Sequence, residues 1–93
     1  MILKWHRRAR QDLVKVRAYI ARQNRKAAAK VAKRILEAVA QLPDDPAIGR
    51  PGRLIATREL IVTGTPYLLP YTVVGEEIVI LRVLHGAQQW PTP

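Results

Sequence analysis

The chain has no cysteine and no serine among its 93 residues. Without cysteine there are no disulfides and no thiolate metal sites, which excludes a disulfide-stapled secreted domain. Without serine there is no Gly-x-Ser-x-Gly nucleophile elbow. His6 and His85 are the only histidines and stand far apart, so the His-x-x-x-His spacing of a zinc site is absent. No P-loop or Gly-x-Gly-x-x-Gly is present. Gly49-Arg50-Pro51-Gly52-Arg53 reads as a turn, because its proline removes an amide that a phosphate cradle needs. Neither a metal nor a cofactor is expected. No apolar run approaches the roughly 20 residues that span a bilayer. The opening Met-Ile-Leu-Lys-Trp-His-Arg-Arg lacks the apolar segment of a signal peptide, so a soluble cytoplasmic protein is expected. Aromatic residues are scarce, and Trp5 and Trp90 read more readily as core anchors than as base-stacking platforms.

Acidic residues are scarce too. The net charge is +9, and it is unevenly placed. Met1 to Leu42 holds twelve Lys and Arg residues against Asp12 and Glu37, whereas Pro43 to Pro93 holds four Arg against five carboxylates. A basic half joined to a near-neutral half suits a polyanionic partner, nucleic acid or an acidic protein, although a solvated helical surface has the same composition.

The hydrophobic pattern gives the organisation. Ile2 to Trp5 reads as a first strand. From Arg7 onward Ala9, Leu13, Val16 and Ile20 form one stripe of a helix. Gln23-Asn24 interrupts it, and Asn24 suits a capping position. Ala28, Ala32, Ile35, Val39 and Leu42 mark the buried face of a second helix from Arg25 to Gln41, ended by Pro43. The two helices form an antiparallel hairpin. A turn-rich connection follows. Then come strands at Arg58–Val62 and Tyr67–Val74, a two-residue turn at Gly75-Glu76, and a run of Ile, Val and Leu from Glu77 to His85. That run reads as one strand buried on both faces at the centre of the sheet. Pro70 cannot donate to the ladder and should mark a bulge or an unpaired position. The expected fold is α+β: an N-terminal strand, then an antiparallel helical hairpin packed on one face of a curved, mainly antiparallel sheet. A single domain over 1–93 is expected, with strand 1–6, hairpin 7–42, connection 43–57, strands 58–86 and tail 87–93.

The words along the chain, in order, resemble the ParE/RelE superfamily of toxins from bacterial type II toxin–antitoxin modules. They are Trp5 with Ala9 and Asp12-Leu13; Tyr19-Ile20; Ala27-Ala28; Gly49-Arg50-Pro51-Gly52-Arg53; Thr57-Arg58-Glu59-Leu60; Tyr67 and Tyr71; Ile80 to His85; and Ala87-Gln88-Gln89-Trp90-Pro91. The resemblance implies a small basic toxin held inactive by a cognate acidic antitoxin of ParD or RelB type. Its RelE-like members cut messenger RNA on the ribosome, whereas its ParE-like members inhibit or poison DNA gyrase.

Site chemistry favours the ParE-like branch. RNA cleavage by 2′-hydroxyl attack needs a base, an acid and cations around the phosphate. RelE-like toxins use clustered Lys and Arg on the sheet, but here Leu68 follows Tyr67 where RelE has an arginine. A nuclease would have to run on Arg58, Glu59 and His85 with Arg82, and this ribosome-dependent endoribonuclease remains the alternative. A plain nucleic-acid-binding module would want an aromatic-lined basic sheet, which is lacking. Arg82, in the most apolar strand, is expected to be structural, paired with Glu59 or a backbone carbonyl. Lys30, Lys33, Arg34 and Arg58 are expected to face the antitoxin. Trp90, Gln88 and Gln89, on a tail free to reach a partner, are expected to meet the target.

Overall fold

The computed structural model describes residues 1–86 and 88–91. The chain runs β1 (Ile2–Trp5), α1 (Arg7–Ala21), α2 (Arg25–Ala40), β2 (Arg50–Pro51), β3 (Thr57–Ile61), β4 (Tyr67–Val74), β5 (Glu77–Ile80) and β6 (Leu84–His85). Both helices begin on a side-chain cap, which satisfies an amide that has no partner inside the helix. His6 Nδ1 accepts from the Arg8 amide at 3.1 Å, and Asn24 Oδ1 accepts from the Ala27 amide at 3.0 Å. The expectation for Asn24 holds. His6 starts α1 in the same way.

The sheet order is β1-β5-β4-β3-β2, with β6 also paired to β4. β1 runs parallel to β5, with Leu3 opposite Ile78 and Trp5 opposite Ile80, while the other ladders are antiparallel. The helical hairpin covers one face. Ala9, Ile35, Val39 and Leu42 pack with Leu60, Leu69, Tyr71, Ile78 and Ile80, all but Leu60 at 1% exposure or less. The strict period of two on β3, β4 and β5 puts these sheet residues on the helix side.

The apolar run from Glu77 to His85 is not one strand. β4 pairs Tyr71 with Ile80, then Leu68 with Leu84. Leu81, Arg82 and Val83 therefore stand opposite only Leu69 and Pro70, which is a bulge. Its cause is Pro70, whose carbonyl accepts from the Leu81 amide at 2.8 Å but which has no N–H to return. The irregularity expected at Pro70 is thus expressed on the facing strand. Nor is the run buried on both faces. Ile78 and Ile80 are buried, whereas Glu77 and Val79 are half-buried on the far side. The central strand is β4.

The connection carries more order than its turn-rich composition suggests. Arg50 pairs with Glu59 and Pro51 with Arg58, adding β2 to the β3 edge. Tyr71 holds this segment down. Its buried hydroxyl accepts from the Gly49 amide at 2.9 Å and donates to the Pro46 carbonyl at 2.8 Å. A Cβ on residue 49 would come within 2.6 Å of the Tyr71 ring, so only glycine fits there. Tyr71→Phe keeps the ring and removes this partner from both backbone groups. It should cost about 1–3 kcal/mol, read as a lower urea midpoint with an unchanged slope.

Candidate functional site

Arg58 and Glu59 are neighbours on β3 and therefore point to opposite faces. Arg58 lies opposite Tyr71, and its guanidinium donates to the carbonyls of Gly49 at 2.8 Å and Ala47 at 3.4 Å. It ties down the connection. Glu59 lies opposite Pro70 on the face away from the helices and is 1% exposed. Arg50 donates to one of its oxygens at 3.0 Å. The Arg53 amide donates to the other at 3.1 Å, with the Arg53 guanidinium 3.5 Å away. Burial by itself pushes the Glu59 carboxyl up, but the Arg53 amide, the Arg50 hydrogen bond and the two positive charges outweigh it. The group is held below its ordinary value of 4.5.

His85 is exposed and pairs across the sheet with Tyr67. Its ring stands edge to face with the tyrosine at 5.7 Å between centroids. Tyr67 is four residues along β4 from Tyr71, the partner of Arg58, about 13 Å at the usual rise per residue. The structure therefore does not gather Arg58, Glu59 and His85 around one point. Arg58 and Glu59 are bonded within the fold, and the His85 ring is packed against Tyr67. Among the described residues no group of three or more His, Asp or Glu side chains could hold a metal ion.

Arg82 is structural, but its partner is not Glu59. Its Nε donates to Asp12 Oδ2 at 2.7 Å and its Nη2 to Oδ1 at 3.2 Å, a forked pair reaching α1 from 70 positions away. Asp12 Oδ2 also accepts from the Val83 amide at 3.0 Å. Glu59 is unavailable because Arg50 and Arg53, assigned no role from the sequence, already occupy it. The Pro70 bulge turns Arg82 toward the helix instead. The same guanidinium lies 5.9 Å from the centre of the Trp90 ring, within range of a cation–π contact.

The tail is consequently not free. Trp90 is half-buried, and its carbonyl accepts from the Arg53 guanidinium at 3.3 Å. Gln88 Oε1 accepts from the His85 amide at 2.6 Å. Gln88 and Gln89 are exposed; Ala87, also in that segment, lies outside the described residues. Lys30, Lys33 and Arg34 do come together. They line an open groove of about 520 Å³ between α2 and the Gly64-Thr65 turn, floored by Ala27 and Val31. Arg34 Nη2 donates to the Thr63 carbonyl at 2.8 Å. Arg58, grouped with them from the sequence, is engaged with the Ala47 and Gly49 carbonyls. The missed residues are Asp12, Arg50, Arg53 and Tyr71. Their signal was present only as words of the resemblance, which carry order along the chain but not which charge meets which.

These bonds generate two expectations. Glu59 titrates below 4.5 in the folded chain, so its stabilising contribution is present above that value and lost as the pH falls through the folded-state pKa. The thermal midpoint should drop on acidification below about pH 4.5, and Glu59→Gln should flatten that drop while lowering stability at pH 7. Arg82→Met strands the Asp12 carboxylate. It should cost about 2–3 kcal/mol, on the order of 10 °C in melting temperature for a domain of this size, and expose the Trp90 indole to a fluorescence quencher.

Comparison with known proteins agrees with this architecture. Residues 3–90 match the family model described as ParE toxin of type II toxin-antitoxin system, parDE. The chain is 44% identical over 89 residues to Y4kP of Sinorhizobium fredii (strain NBRC 101917 / NGR234), named as a candidate toxin, covering 96% of this chain and 92% of that one. It superposes with a TM-score of 0.81 on a chain in the solved structure of the chromosomal ParDE TA system from P. aeruginosa. There the identity is 33%, over 91% of this chain and 95% of that chain. No helix among the described residues is long and apolar enough to cross a membrane.

Proposed function

We propose a target for this chain, which belongs to the ParE toxin family of type II toxin–antitoxin systems: it inhibits or poisons DNA gyrase, and does so by binding rather than by cutting RNA. The observation that carries this choice is the engagement of Arg58, Glu59 and Arg82 inside the fold. Arg58 donates to the Ala47 and Gly49 carbonyls, Glu59 is buried between Arg50 and Arg53, and Arg82 is bonded to Asp12. Catalysis at a scissile phosphate needs a base, an acid and cations converging within hydrogen-bond reach. His85 on its own supplies one proton-transfer group and no charge clamp. Ribosome-dependent message cleavage is the second reading.

Under the gyrase reading, Gln88, Gln89 and the exposed part of Trp90 form a short target-facing ridge, held in place by Arg53 and Arg82. The cognate antitoxin, of ParD or RelB type, lays apolar side chains on Ala27 and Val31 in the α2 groove. It sets carboxylates opposite Lys30, Lys33 and Arg34.

The test is induction of the wild-type chain and of His85→Gln without antitoxin, scored for growth, plasmid supercoiling, DNA damage response and messenger RNA integrity. Both proteins should arrest growth and induce the damage response with messages intact. Message cleavage that falls roughly 10²-fold or more in His85→Gln, the usual cost of a general acid–base group, would favour the nuclease instead.

A further inference from the structure

We propose that the solvent-facing side of α1 is a phosphate-contact surface for duplex DNA, distinct from the α2 groove assigned above to the antitoxin. Between Arg7 and Arg34 the chain carries eleven cations, all exposed. None of them takes part in the ion pairs found among the described residues, which are Lys4–Glu77, Arg50–Glu59, Arg53–Glu59 and Arg82–Asp12. Asp12 is the only carboxylate on α1. Because its two oxygens are turned inward to Arg82 and to the Val83 amide, the outward side of the helix is left with positive charge alone.

Arg7, Arg10 and Lys15 surround one shallow depression floored by Gln11 and Val14, and Arg22 continues the line at the end of the helix. From Arg7 to Arg22 the rise is about 22 Å, roughly the axial length of six phosphates on one strand of a duplex. Lys, Arg and Gln are the side chains that contact backbone phosphates.

The same surface is poorly made for an acidic protein. Protein interfaces draw their energy from a few buried anchors, aromatic ones above all, and no aromatic side chain lines this depression. It is equally poorly made for a single strand, which needs aromatic side chains to stack on, and none lines it. The choice of DNA over duplex RNA rests on the gyrase reading, since that target itself holds duplex DNA. The phosphate contact itself does not depend on that reading.

The experiment uses the purified full chain, free of antitoxin and of gyrase, and a fluorescein-labelled 24-base-pair DNA of arbitrary sequence. Anisotropy is followed between about 50 and 200 mM salt. Matched duplex RNA and single-stranded DNA are the comparison probes. Binding should weaken with salt with a logarithmic slope of about −3 to −4, since each neutralised phosphate contributes about −0.9. Arg7→Gln/Arg10→Gln/Lys15→Gln should reduce the slope by about 2 to 3 and the affinity at least 10-fold, with an unchanged melting temperature. Arg7→Lys/Arg10→Lys should retain both. Lys30→Gln/Lys33→Gln should leave the DNA slope nearly unchanged while weakening antitoxin capture. The proposal is overturned by no salt-dependent binding, by equal or tighter binding of the single strand or duplex RNA, or by a triple variant that loses only antitoxin capture. DNA binding with the expected slope but no effect on gyrase would sustain this surface and count against the target instead.

Discussion

A missing backbone donor at the centre of the sheet sets much of this structure. Pro70 lies in β4, the strand between β3 and β5, and can accept from Leu81 but not donate back. A ladder that loses one bond must be relieved locally. Here the facing strand gains a residue and divides into β5 and β6. The extra turn of chain brings Arg82 out of an otherwise apolar run. Its guanidinium is bonded to Asp12 on α1 and lies over the Trp90 ring. Helix, sheet and tail are joined through a single side chain. The alternative, an arginine left unpaired beside Ile80 and Val83, would have been far more costly.

The same arrangement distributes charge. The chain has few carboxylates, and the structure commits Asp12 and Glu59 to arginines of the same chain. Each pair combines ion pairing with a backbone amide, Val83 for Asp12 and Arg53 for Glu59. These amides satisfy acceptors that partly buried charges would otherwise leave open. The consequence is felt on the surface. Among the described residues the cations of the helical hairpin form no ion pair, and a net charge of +9 becomes a directed field on one layer of a two-layer fold. Stability and recognition are thus coupled through the placement of two acids.

Much of the fold was legible along the chain. The stripe Ala9, Leu13, Val16, Ile20 and its counterpart on α2 gave both helices. Asn24 gave a cap, and the strand Tyr67–Val74 appeared with its bounds intact. The candidate site was far less legible. Arg58 and Glu59 read as a possible catalytic pair because they are adjacent, yet adjacency on a strand sends them to opposite faces. Trp90 read as part of a free tail because nothing near it in sequence holds it. Its partners, Arg53 and Arg82, come from the connection and from the bulge.

The sequence by itself determined which segments are helix and which are strand, where the hairpin bends, and that the ladder at Pro70 could not be regular. These follow from periodicity, capping and fixed backbone angles, which act between residues a few positions apart. Only the tertiary structure decided that Arg82 belongs to Asp12 and Glu59 to Arg50 and Arg53. The same holds for Tyr71, which fastens the connection at Gly49. Such pairings join residues from six to 70 positions apart. Several arginines compete for each carboxylate, and composition treats them alike. What separates them is the direction each side chain leaves the backbone once the strands are in register, and register exists only after the chain has folded.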